Sequence, residues 1–138
     1  MNIRADLHIH SLLSPCGDLE MSPRSIAQVA SERGLELIAL TDHNTARNTP
    51  AFSHACESVG IAALYGTEVT TSEEVHTLAL FDTVETALAF GEEIYESLEH
   101  VPYAASRFGD QVVVDRDEML DLALDGGGDG LDCLRRII

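Results

Sequence analysis

The run Leu35-Glu36-Leu37-Ile38-Ala39-Leu40 is almost continuously apolar and stops abruptly at Thr41-Asp42-His43-Asn44. A strand that is apolar on both sides has no face to give to water, so it belongs in a sheet covered on both faces. In practice this means parallel strands joined by helical crossovers. The flanking sequence agrees. Ser22-Pro23 reads as N-cap and first helical residue, Ile26, Val29 and Ala30 follow at helical spacing, and Gly34 supplies the stop. Thr49-Pro50 opens a second helix, from Pro50 to Ser58, which ends near Gly60. A third strand is predicted from Ile61 to about Glu68 and a fourth from Val75 to Phe81. Asp82 or Thr83 then caps a third helix reaching about Leu98.

The first strand, Ile3 to Ile9, alternates: Asp6, His8 and His10 are predicted on one side, Leu7 and Ile9 on the other. Strands mostly alternating with helices predict an α/β fold with a parallel sheet or barrel. Beyond Val101 the pattern weakens. Gln111 to Val114 is a short strand candidate, Asp117 to Leu124 a helical turn or two, and Gly126-Gly127-Gly128-Asp129-Gly130 a flexible linker. The 138 residues are read as a single domain, residues 125–138 being an unassigned tail.

Charge narrows the function classes. Against 24 acidic residues stand 8 Lys and Arg, and the net charge of −16 disfavours a generic grip on long nucleic acid or on an anionic membrane. Cys16, Cys56 and Cys133 form an odd set with no metal-type or disulfide-framework spacing, so they are read as reduced thiols. The first residues carry no apolar signal core and no apolar run approaches the ~18 residues of a membrane span, which makes the cytoplasm the expected location.

The polar outliers gather at strand ends: His8 and His10 after the first, Asp18 in the loop beyond it, His43 after the second, Glu68 after the third, and His76 early in the fourth. In parallel α/β folds those ends line the functional crevice. Two histidines at i and i+2 with apolar neighbours facing away point to a shared metal, because neutral imidazole is the commonest protein metal donor. Adding His43 and Glu68 suits Zn, Mn or Fe better than Ca or Mg. Asp18 has two readings, a ligand or an aspartate that closes its own turn after Gly17. Asp42 is read as capping the loop or orienting a neighbouring histidine, since adjacent strand residues point to opposite faces. His76 shares a face with Leu78 and Leu80, so a core histidine competes with a ligand there. Cys16 reads as incidental, and His54 and His100 as surface residues. Arg47 is a candidate for holding a substrate phosphate, beside the alternative of a solvated loop arginine.

Asp6-Leu7-His8-Ile9-His10-Ser11, Cys16-Gly17-Asp18-Leu19, Thr41-Asp42-His43-Asn44-Thr45, Gly66-Thr67-Glu68-Val69 and Val75-His76-Thr77-Leu78 resemble, in that order, the N-terminal motifs of the PHP (polymerase and histidinol phosphatase) domain family. Arg107-Phe108-Gly109 is similar to its predicted phosphoesterase branch, and the likeness runs to about Asp115. The resemblance implies a distorted, TIM-like, seven-stranded βα barrel with two or three divalent ions at its C-terminal face. By the same resemblance His8 and His10 hold the first ion, Glu68 bridges, Asp18 and His43 serve a neighbour, and His76 is a third-metal or outer ligand. The implied activity is hydrolysis of a small phosphomonoester or a nucleotide end by a metal-activated hydroxide, with ions ~3.5–4 Å apart. The family's later motifs, an Ala-His-Pro strand end and a closing Asp-x-His, have no counterpart here. The expected barrel is therefore incomplete at its C-terminus: a fragment of a longer chain, a shortened gene, or a site completed by a second chain or oligomer. The alternative function is a metal-binding scaffold or regulatory domain without turnover.

Overall fold

A computed structural model describes residues 2–98 and 110–118. Its elements are β1 (Ala5–Ile9), α1 (Pro23–Glu32), β2 (Leu37–His43), α2 (Thr49–Val59), β3 (Ala62–Thr70), β4 (His76–Phe81) and α3 (Val84–Ser97). The strands form one sheet in the order β1-β2-β3-β4. β1 pairs parallel with β2, and β2 with β3, each pair joined by a helical crossover as predicted. β4 departs from the all-parallel expectation and pairs antiparallel with β3. The reason is length: only residues 71–75 separate them, too few for a crossover. They close instead as a turn in which Thr71 N–H donates to the Val75 carbonyl at 3.0 Å. The fold is thus mixed α/β, with four strands among the described residues.

Local chemistry sets the helix ends. Ser22 Oγ accepts from Ser25 N–H at the start of α1, and Thr83, not Asp82, caps α3 by accepting from Thr86 N–H. Gly34 and Gly60 follow α1 and α2 at positive φ. The main core lies between β2 and the pair α1/α2, where Ile26, Ile38, Leu40, Phe52, Ala55 and Cys56 are buried together. Of the apolar run, Ile38, Ala39 and Leu40 are buried, Leu35 and Leu37 half-buried and Glu36 exposed, and burial continues through Thr41, Asp42 and His43. Gly66 in β3 sits against β4 so closely that a Cβ would run into the Ala79 carbonyl.

Strict alternation fails in β1. Asp6 pairs with Ile38 but Ile9 with Leu40, so the register slips between them. Asp6 consequently lines, with Ile9, a cleft of about 420 Å³ shared with Met21, Ile26 and Val29 of the α1 side. Residues 111–114 are no regular strand, and only Val114 is bridged. Their backbone is held instead by a side chain: Asn48 Nδ2 donates to the Val112 carbonyl at 3.0 Å, and Asn48 Oδ1 accepts from Val114 N–H at 3.0 Å. Residues 115–118 form a turn in which Glu118 N–H donates to the Asp115 carbonyl at 3.0 Å. The rest of the expected helical turn, Arg107-Phe108-Gly109, His100 and the glycine linker lie outside the described residues.

The loop after β1 is organised by Asp42, 1% exposed at the end of β2. Ser11 N–H and Ser14 Oγ–H both donate to Asp42 Oδ1 at 2.7 Å, and Ser11 Oγ–H donates to Oδ2 at 2.7 Å. Three donors suit an ionised carboxylate, which only accepts. Burial acts the other way and pushes the Asp42 carboxyl above its ordinary range.

Two substitutions test this framework. Asp42→Asn turns an amide N–H toward groups that themselves donate, and a loss of about 1–3 kcal/mol is expected, read as a lower urea midpoint at unchanged slope. Gly66→Ala forces β3 and β4 apart, with a loss of about 1–3 kcal/mol and a lowered thermal midpoint. A midpoint unchanged in either variant would show that the corresponding contact carries no stability.

Candidate metal centre

Strand register brings the polar outliers together. In the β2/β3 ladder His43, the last residue of β2, lies directly opposite Glu68, two residues before the end of β3. Asn44 then turns the chain at positive φ, its N–H bonded to the Glu68 carbonyl at 3.0 Å and its Oδ1 to Thr70 N–H at 2.9 Å. Thr67 Oγ1 donates to the Asp42 carbonyl at 2.8 Å, which fixes the preceding rung. The antiparallel return of β4 sets His76 opposite Thr70 and carries its ring back to Glu68.

Glu68 is the point of convergence. Its Oε2 lies 3.0 Å from His8 Nε2, 3.0 Å from His10 Nε2 and 3.5 Å from His43 Nδ1, while Oε1 lies 2.7 Å from His76 Nδ1. The rings of His10 and His43 stack at 4.6 Å, and His43 meets His76 edge-on at 5.6 Å. Glu68 is 4% exposed, whereas the side chains of His8 and His76 are about half exposed at 49% and 50%. The buried carboxylate thus forms the floor and two imidazoles form the rim.

His8 Nε2 and His10 Nε2 are themselves 3.0 Å apart, which makes a triangle with Glu68 Oε2. Hydrogen bonds cannot satisfy all three edges. If both nitrogens carry protons toward the carboxylate their hydrogens collide, and if one is bare it faces the oxygen lone pair to lone pair. Donors on one ion with bonds of about 2.0–2.2 Å lie ~2.8–3.6 Å apart, so the triangle has the dimensions and the donor chemistry of a metal site. His43, Glu68 and His76 form a second such group, and His10, Cys16 and His43 a third, each with its ligand atoms within 4.8 Å of one another.

The protonation of His10 follows from its neighbours. Ser14 Oγ uses its proton on Asp42, so at 3.2 Å it can only accept from His10 Nδ1–H. That leaves the Nε2 lone pair aimed at the triangle. Burial first, and then the nearby His43, push the His10 pKa down to about 4. Burial likewise lowers His43. For Glu68 burial acts upward, but hydrogen bonds from His8 and His76 outweigh it and hold the carboxyl below its usual range. At neutral pH His10 and His43 are therefore uncharged donors and Glu68 an anionic one.

Of the residues singled out in the sequence, the structure brings His8, His10, His43, Glu68 and His76 together, and sets Asp42 behind them through Ser14. Asp18 stands apart. It is exposed, and its Oδ1 accepts from Glu20 N–H at 2.9 Å, so of its two readings the turn-closing one describes its contacts. Arg47 is engaged elsewhere, its Nε and Nη2 bonded to Glu92 at 2.8 and 3.1 Å and its guanidinium 4.7 Å from the Tyr95 ring centre. Cys16, read as incidental, is the residue that reaches His10 and His43. Its thiol is pushed up by partial burial. Ser11, Ser14 and Asn48, to which residue patterns assign no role of their own, form the hydroxyl and amide network behind the centre. An Asp beside a strand-end histidine was the one available signal for hydroxyl partners.

The PHP domain model matches residues 6–122. An uncharacterized protein of Methanocaldococcus jannaschii is 31% identical over 135 residues, covering 90% of this chain and 79% of that protein. Two solved structures are similar. One, from Bifidobacterium adolescentis and provisionally described as a metal-dependent phosphoesterase, is 31% identical with a TM-score of 0.50, covering 58% of this chain and 28% of that one. The other, an amidohydrolase from Chromobacterium violaceum with bound sulfate and no metal, is 30% identical with a TM-score of 0.55, covering 68% and 34%. This chain therefore spans about a third or less of either solved relative. A sequence whose strand ends gather four imidazoles about one glutamate, and whose residues 6–122 fit one family throughout, belongs to the PHP domain family.

Proposed function

We propose that this chain carries the metal centre of a hydrolase acting on a small phosphomonoester or a nucleotide end, with Zn, Mn or Fe held by His8, His10, His43, Glu68 and His76. The triangle of His8 Nε2, His10 Nε2 and Glu68 Oε2, 3.0 Å on each edge, carries this reading, because protons alone cannot satisfy it. When bound, divalent ions supply Lewis acidity and positive charge. The residues of the chain do the positioning. Asp42 holds Ser14, Ser14 holds the Nδ1 proton of His10, and Glu68 presents a full negative charge from a buried floor. The half-exposed rings of His8 and His76 leave the centre open to a small ligand. Arg47 is engaged by Glu92, so the ions, not this guanidinium, are assigned the charge that meets a phosphate. The net charge of −16 favours a small substrate over a long polynucleotide.

The reading takes the four strands as part of a seven-stranded barrel, whose remaining wall and ligands come from outside the described residues or from a second chain. A scaffold role without turnover is the second reading. It is favoured by the engagement of Arg47 with Glu92, which leaves no side chain assigned to hold a substrate among the described residues.

Elemental analysis of the purified chain, coupled to a phosphoester panel that also contains amide substrates, separates the two. Phosphate release abolished by chelator and restored by Zn, Mn or Fe is expected. Bound metal without chelator-sensitive turnover would establish the scaffold, and less than one equivalent of metal with no activity after metal addition would sink both. In the double variant His8→Ala, His10→Ala, metal affinity should fall at least tenfold or so while the chain stays soluble. Unchanged retention would remove both residues from the centre.

A further inference from the structure

We propose that Cys16 supplies a thiolate to a metal position whose other protein donors are His10 and His43, a sulfur-containing corner of the centre that favours zinc over manganese. The inference rests on the metal reading above but concerns a residue that this reading does not use. Its basis is placement. The sulfur of Cys16 and one nitrogen each of His10 and His43 lie within 4.8 Å of one another, although Cys16 is six residues beyond His10 in a loop and His43 is on another strand.

The loop is built to bring the thiol there. Ser14 N–H donates to the Ser11 carbonyl at 3.0 Å and Gly17 N–H to the Ser14 carbonyl at 2.9 Å, so two successive turns carry the chain from His10 to an exposed Cys16. Gly17 permits the second turn because a Cβ there would run into the Ser11 carbonyl. Both turns hang from Asp42 through the hydroxyls of Ser11 and Ser14. His10 and His43 are stacked at 4.6 Å with their ring faces parallel to within 24°, so donor atoms on their edges can meet a third donor at one corner.

The donor type distinguishes this corner from the rest of the centre. His8, Glu68 and His76 offer nitrogen and oxygen, which many divalent ions accept, whereas thiolate with two imidazoles suits zinc and is poorly matched to manganese. On coordination the thiol gives its proton to solvent as the sulfur–metal bond forms. His10 and His43 belong one each to the two groups containing Glu68, so an ion at the sulfur corner competes with those positions for their lone pairs.

Cobalt(II) is the probe. Added to the full chain it should give visible d–d absorption together with a near-ultraviolet sulfur-to-cobalt charge-transfer band. In Cys16→Ser the band should vanish while the visible absorption remains. Zinc affinity should fall by roughly 10-fold or more and manganese affinity should not change. Visible absorption without the band, or a band that survives in Cys16→Ser and so arises from Cys56 or Cys133, would overturn the proposal and leave the His/Glu reading intact. Absence of all cobalt absorption would overturn both. Alkylation of the unmodified chain gives a test independent of any variant. Zinc should protect Cys16 from iodoacetamide in peptide mapping, and full modification of Cys16 with zinc bound would refute its ligation.

Discussion

The carboxylate of Asp42 is the interaction on which the rest of the centre depends. It is buried at the end of β2 and takes three short hydrogen bonds from Ser11 and Ser14, residues contributed by the loop beyond β1. A buried charge is tolerable only when its lone pairs are met, so the loop has little freedom to fold otherwise. From this one requirement follow the tautomer of His10, set by Ser14, and the turn that carries Cys16. Asn48 extends the network from the Ser11 hydroxyl to the backbone at Val112 and Val114, tying a distant segment to the same hub.

Glu68 plays the complementary part. Four imidazoles lie within 3.5 Å of its oxygens, and desolvation lowers the pKa of His10 and His43, keeping those two rings uncharged. In a chain of net charge −16 the uncharged rings of His10 and His43 and the anionic Glu68 concentrate lone pairs at one point. That is the electrostatic condition under which divalent ions bind tightly and then reverse the local field. The anionic substrate proposed for the chain would meet its acidity through such a reversal.

Much of this was legible in residue patterns. The apolar run before Asp42-His43 required a covered strand, the Ser-Pro and Gly signals bounded α1, and the His8-x-His10 pair with His43 and Glu68 at strand ends pointed to one crevice. Where reading along the chain fell short, contacts between distant segments decide the outcome. Asp18 and Cys16 are two residues apart, the first a ligand candidate by spacing and the second read as incidental; both are exposed, yet the fold of the loop closes Asp18 onto Glu20 N–H and brings the Cys16 sulfur to His10 and His43. Arg47 looked available for a phosphate because nothing local shows Glu92, 45 residues away, closing on it.

The sequence by itself determined the alternation of strands and helices through β3, and the identity of the donors, because side-chain period and residue chemistry are local properties. It also determined the charge background against which those donors act. Only the tertiary structure decided which donors meet. The five residues between β3 and β4 force an antiparallel return, and this turns His76 from a candidate core residue into a neighbour of Glu68. The register of β2 against β3 sets His43 opposite Glu68, and Asp42 folds the β1 loop over both. Distances between side chains depend on strand register and loop closure, which arise from many weak contacts acting together and leave no single mark in the order of residues.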